Sequence, residues 1–190
     1  MTNSPSSSYR DFRSLRLRGK LITLRRPRRS DASVIRSIAN NRSVSKYLPE
    51  MPHPYSEGNA RAMINESHHY GRTGSAYTFC IVENSNSDLM GCVGLRNVNS
   101  NDRNAEMWYW LGRKYWHKGY ASDAVRLTLQ FAFESLHLMK VYAVVQESNV
   151  ASVNLLERHG FTREAHWRKG SFMNGRWYDV YGYGILRNEF

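Results

Sequence analysis

The chain has 190 residues, 41% of them hydrophobic, and a net charge of +11, which suits one domain with its own core and no metal or disulfide staple. No apolar run approaches the ~18 residues of a membrane span and no signal-peptide pattern opens the chain, so it reads as a cytoplasmic protein with no membrane partner. Cys80 and Cys92 lack CxxC spacing and read as reduced core residues.

Residues 1–18 read as a disordered basic tail and 19–190 as a single domain. Residues 10–29 hold nine Lys and Arg against the single acid Asp11. Such a run suits a polyanion, RNA or the ribosome, or is a solvated face plus a tail. Leu21–Leu24 is a strand ended by Pro27. Ser30 or Asp31 then caps a helix whose apolar face is Val34, Ile35, Ile38 and Ala39. A short helical piece, Val44–Leu48, stops at a proline cluster, and a longer helix runs from Ser56 to about Tyr70. Two strands, Ala76–Glu83 and Leu89–Val98, form a hairpin in which Gly91 and Gly94 suggest a bend or close packing. The strand Glu106–Leu111 puts Glu106, Trp108 and Trp110 on one face and Met107, Tyr109 and Leu111 on the other. A basic loop leads to Gly119, and a helix follows with a core stripe of Ala121, Val125, Leu129, Ala132 and Leu136. Met139–Gln146 is a strand and Val150–His159 a helix stopped by Gly160. Strands Thr162–Lys169 and Arg176–Leu186 close the chain around Asn174-Gly175, a direct hairpin signal. Fold class by pattern is α/β or α+β with a mixed sheet.

The Gly119 turn offers backbone N–H groups and a helix N-terminus to an anion such as phosphate. Trp116-His117-Lys118-Gly119-Tyr120-Ala121 resembles the pyrophosphate loop of the GNAT acetyltransferases, Gln/Arg-x-x-Gly-x-Gly/Ala, with Trp leading as in the RimJ/RimL-type branch. The stretch Gly19–Pro27 resembles the opening strand of that branch. Asn149–Phe161 resembles the family block Asn-x-x-Ser/Ala-x-x-Leu-x-Glu-Lys-x-Gly-Phe. The resemblance implies a mixed, mostly antiparallel seven-stranded sheet with about four helices on its two faces, splayed between the Glu106–Leu111 and Met139–Gln146 strands.

It also implies transfer of an acetyl group from acetyl-CoA, as cosubstrate and without a metal, to a primary amine by direct attack in a ternary complex. The cofactor loop is expected to be Trp116 to Ser122, with the pyrophosphate on the N–H groups of His117, Lys118, Gly119, Tyr120, Ala121 and Ser122, and the thioester near Trp110 and Leu111. Ser152 matches the serine that protonates the thiolate in the RimL-like branch, or is a solvent-facing helix residue. The Tyr that many relatives use for this stands here as Leu156. Asn149 binds the pantetheine or acceptor, or caps its helix. Glu106 is the candidate base. Trp108, where relatives commonly have Gly, narrows the acceptor channel or fills the core. Tyr47, Leu48 and Tyr55 line the acceptor groove or are loop anchors. Asp179, with Trp177 and Tyr181, lines the cleft or belongs to an edge-strand pattern. A site without a strong base suits an α-amine, pKa ~7.7–8.0, over a lysine amine at ~10.4. The expected acceptor is therefore a protein N-terminus of ribosomal-protein type, with a small amine or amino acid as the alternative. A non-catalytic RNA- or ribosome-binding module is the reading from another class. Relatives are often homodimers.

Overall fold

In the computed structural model, which describes residues 14–190, one mixed sheet is covered by helices on both faces. The elements are β1 (Arg16–Arg18), β2 (Ile22–Arg25), α1 (Ala32–Ala39), α2 (Arg42–Ser45), α3 (Glu57–Thr73), β3 (Tyr77–Glu83), β4 (Leu89–Asn99), β5 (Asn104–Leu111), α4 (Tyr120–Gln130), β6 (Lys140–Gln146), α5 (Val150–Arg158), β7 (Thr162–Met173) and β8 (Arg176–Leu186). A π-helical turn, Phe131–Ser135, prolongs α4. Strand order is β1-β2-β3-β4-β5-β6-β8-β7, and only the β5–β6 pairing is parallel.

Among the described residues the sheet has eight strands rather than seven, and there are five α-helices rather than about four. The added strand is Arg16–Arg18, expected in the tail, which pairs with β2 from the sheet edge. Its neighbours in that tail, residues 1–13, lie outside the described residues. β7 runs on past Lys169 to Met173 because a register break between Trp167 and Ser171 absorbs the extra residues.

Two cores flank the sheet. One lies under α4 and α5 and includes Phe79, Val125, Leu129 and Leu156. The other lies under α1 and α3 and includes Ile35, Ile64, Cys80, Cys92 and Trp110. The cysteines face one another across β3 and β4 and are free thiols. Within α1 the periodicity holds for Ile35 and Ala39, but Val34 is exposed. Nor does Asp31 cap α1 through its side chain. Its carboxylate is buried in a two-pronged pair with Arg25, at 2.7 and 2.9 Å, and accepts the Arg28 N–H. Ser56 caps α3 by accepting the Asn59 N–H.

The glycines of β4 are there for close approach. A Cβ on Gly91 would sit 2.1 Å from the Trp110 carbonyl oxygen. Gly94 pairs with Trp108 across the strands, and the indole lies over the glycine, with a Cβ there 3.0 Å from the ring. Trp108 thus replaces side-chain packing that Gly94 cannot supply.

Asp123, in the first turn of α4, ties this helix to the start of β2. Its carboxylate accepts the Leu21 N–H at 2.8 Å, the Ile22 N–H at 3.3 Å and Arg126 at 2.7 Å. Burial alone would push this carboxyl up, but the Leu21 N–H and the Arg126 guanidinium outweigh it and hold it below the usual range. A depressed folded value stabilises the fold above the unfolded value of about 3.9 and loses that contribution as pH falls through the lower folded value. Asp123→Asn is expected to lower stability at neutral pH by about 2 kcal/mol, roughly 4–8 °C in Tm. The deficit should shrink below about pH 4, and thermal unfolding at neutral and acid pH checks both parts.

Candidate functional site

β5 and β6 pair only at Asn104–Glu106 with Lys140–Tyr142, then part. β5 stays paired with β4 as far as Leu111, and β6 with β8 as far as Gln146. The gap opens into a cleft of about 1930 Å³ that reaches both faces of the sheet. This is the expected splay.

The loop after β5 forms one wall. Trp116 donates its indole N–H to the Leu111 carbonyl at 2.8 Å, which pins the loop to the strand end. His117 and Gly119 both have positive φ, +60 and +83. Residues in this left-handed region turn successive N–H groups inward and make a concavity for anions. Trp116 N–H is taken by Arg113 and Asp123 N–H by Gly119. Between them, Tyr120, Ala121 and Ser122 carry the first-turn N–H donors that a helix leaves without an internal partner, with the His117–Gly119 loop just before them. The loop thus fits the diphosphate of a coenzyme A, and Trp116 through Ser122 all line the cleft. The Ser122 hydroxyl is turned back to His159 Nε2 at 2.8 Å. Burial, with Arg158 and Arg126 nearby, holds His159 below the usual imidazole value, so it can accept that proton as a neutral ring.

Deeper in, Gly112 N–H bonds Met90 on β4. Strand alternation then turns the Tyr109 and Leu111 N–H groups toward the splay, where no strand pairs with them. They can serve the pantetheine amides or polarise a thioester carbonyl. Trp110 shares their stretch, but its side chain is buried with the α1–α3 core. Asn149 caps α5, its Oδ1 accepting the Ser152 N–H at 3.4 Å, and also lines the cleft. Ser152 Oγ is 2.6 Å from the Tyr109 hydroxyl. Leu156 is buried in the core.

On the α1–α3 side, Glu106 is buried at 8% exposure. Its oxygens accept from Arg96 Nη2 at 2.7 Å and Asn97 Nδ2 at 3.3 Å. Arg96 also pairs with Glu50 on the segment after α2. Trp108 lines the cleft and packs on the core at once. Tyr47 reaches across to the far arm and donates to the Ser148 carbonyl at 3.2 Å. Leu48 lines the cleft, and Tyr55 lines it from the core, 6% exposed.

Arg96, Tyr109 and Gln146 also line this cleft but were not singled out in the sequence. The cross-strand pairing Arg96↔Glu106 carried a signal, since opposite charges directly across an antiparallel pair attract. From β8 it is Val180 that lines the cleft, whereas Asp179 accepts the Lys169 N–H and lies 3.3 Å from His166. With Glu147 these two make a compact carboxylate–imidazole group, none of whose members lines the cleft. Among the described residues no helix is long and apolar enough to cross a membrane.

Residues 22–162 match the acetyltransferase (GNAT) domain family. The spermidine N(1)-acetyltransferase of Vibrio cholerae is 31% identical over 89% of this chain and 95% of its own length. A crystal structure of spermidine N-acetyltransferase from Vibrio cholerae, in complex with CoA and spermine, superposes with a TM-score of 0.79. It has 30% identity over 88% of this chain and 96% of that one. YdaF of Bacillus subtilis, whose name places it provisionally among ribosomal N-acetyltransferases, is 34% identical over 53% of this chain and 55% of its own.

Proposed function

The chain belongs to the GNAT acetyltransferase family and is an acetyl-CoA-dependent N-acetyltransferase, and on that premise we propose that its acceptor is the N-terminal α-amine of a protein, as in the RimJ/RimL-type branch. The observation that carries this reading is Arg96. It pairs with Glu50 and Glu106 at once, so neither carboxylate stands unpaired in the cleft and its single positive charge offsets one of their two negative charges. Glu66 is the one further carboxylate lining the cleft, against Lys46, Arg96, Arg113, Lys118 and Arg158. A polyamine carries several charges and needs unpaired carboxylates, because each unlike pair that stays unsatisfied in a cleft costs binding. A peptide end brings one amine and neutral amides.

Acetyl-CoA lies with its diphosphate on the Trp116–Ser122 loop and its thioester beside Tyr109–Leu111. The neutral amine attacks the carbonyl carbon, the C–S bond breaks, and the electron pair goes to sulfur. Ser152 faces that sulfur and donates to it. Asn149 holds the start of α5 and offers its amide to the pantetheine. Glu106 accepts a hydrogen bond from the amine and takes its proton, directly or through a water. An α-amine is partly neutral near pH ~7.7–8.0, so a carboxylate already bonded to Arg96 suffices.

A second reading, a polyamine acceptor, is favoured by the spermidine acetyltransferases that match most of this chain. Thiol release measured with peptides of free or blocked N-terminus and with spermidine separates the two. Turnover requiring a free peptide α-amine supports the first reading, and preference for spermidine puts the second ahead. Arg96→Ala uncovers both carboxylates and is expected to raise kcat/KM for spermidine relative to peptide by about tenfold.

The basic run at residues 10–29 is proposed to hold the enzyme near ribosomal RNA. Within that run Arg25 is bound to Asp31, Arg28 and Arg29 are exposed beyond β2, and Arg16, Arg18 and Lys20 are exposed on and beside the sheet edge. Exchanging those three for Ser should weaken salt-sensitive RNA binding and spare turnover of a free peptide, and equal loss of both would sink the idea.

A further inference from the structure

Tyr109 stands on β5 three residues past the last one that pairs with β6. Its ring is half-buried against the core under α4 and α5. Ser152 is in the first turn of α5, which starts soon after β6 ends. The Tyr109 hydroxyl and Ser152 Oγ are 2.6 Å apart. This bond joins the two arms of the splay where the backbone no longer does. Either hydroxyl can donate in this bond, and the phenol, a far stronger acid than an alkyl hydroxyl, is the better donor. The serine proton is then free to point elsewhere, and the Asn149 cap fixes the serine backbone from below.

We propose that Tyr109 is a positioning residue for acetyl transfer, its hydroxyl donating to Ser152 Oγ and so aiming the serine proton at the departing sulfur of coenzyme A. The inference rests on the reading of Ser152 given above. Bonds balance without an added reactant. The amine nitrogen forms a bond to the acetyl carbon and gives its proton to Glu106, the C–S bond breaks with its electron pair going to sulfur, and coenzyme A leaves as a thiolate that accepts the Ser152 hydrogen bond, the proton from Glu106 passing to it through solvent. Tyr109 and Ser152 finish in the protonation states in which they start. Donation into the serine oxygen also polarises its O–H, since hydrogen bonds in a chain strengthen one another. Burial pushes the phenol up to about 12, against the opposing pull of the Ser152 bond, so Tyr109 stays a donor throughout the working pH range.

The test is a double-mutant cycle of Tyr109→Phe and Ser152→Ala, read as kcat, KM for acetyl-CoA and calorimetric CoA affinity. Phe keeps the ring in its apolar seat, and unfolding temperature confirms that it folds. Each single change is expected to lower kcat by about 20-fold, and the pair by little more than either alone, because both remove one device. KM and CoA affinity should stay within about threefold. Losses that multiply, a Tyr109→Phe enzyme within about twofold of the parent, or a loss confined to CoA affinity would each overturn the proposal. Failure of the parent reading looks different: Ser152→Ala itself would then leave kcat unchanged.

Discussion

Glu106→Gln is expected to lower kcat/KM for a peptide α-amine by about 100-fold at neutral pH. The carboxylate is buried and held by Arg96 and Asn97, so it cannot swing away and water cannot easily replace it. Glutamine fills the same space and can still accept from Arg96, but takes no proton at working pH. The loss should depend on pH in a definite direction. Below the amine value of about 7.7–8.0 most acceptor is protonated and needs a base, so the gap is wide. Above it the amine arrives neutral and the variant should close on the parent. Initial rates across pH check this, and two superimposable profiles would remove Glu106 from proton transfer. Unfolding temperature is the control, since Arg96 would keep only Glu50 as a charged partner.

The second large effect is at Gly119, and two replacements of the same shape but different charge isolate its cause. Its φ of +83 suits Asn and Asp better than other side chains. A Cβ there meets only the end of Leu21, at 3.3 Å. Gly119→Asn should therefore weaken acetyl-CoA binding by only a few-fold, whereas Gly119→Asp sets a negative charge against the diphosphate. At about 5 Å and an effective dielectric of about 20 that repulsion is roughly 3 kcal/mol, about 100-fold. Calorimetry of CoA binding to both variants gives the ratio. Equal affinities would mean that the diphosphate lies elsewhere.

Local patterns were legible in the sequence. The Gly119 turn and the Asn149–Gly160 helix each depend on residues a few positions apart, and the structure holds both against one cleft. Alternation along β5 correctly split Glu106 and Trp108 from Tyr109. Two other features escaped because they depend on register. Arg96 meets Glu106 only through the alignment set by the turn between β4 and β5, and Tyr109 meets Ser152 across 43 positions. Arg16–Arg18 reads as tail because just Leu17 in it is apolar, and its strand state comes from β2 alongside. Asp31 looks like a cap, but a half-buried Arg25 competes for its carboxylate and wins by geometry and charge.

The narrow root of the splay has a mechanical consequence. β1 to β5 form one antiparallel meander and β6 to β8 another ribbon, and their backbones are joined by three register pairs, Asn104–Glu106 with Lys140–Tyr142. Each ribbon is stiff within itself, so the compliant direction of the sheet is a rotation about that root. A ligand gripping both arms works far from the pivot, like a clamp at the tips of tongs, and a small closing angle moves the tips furthest. Occupancy of the cleft should therefore register as slower amide exchange at the root, well away from the atoms the ligand touches.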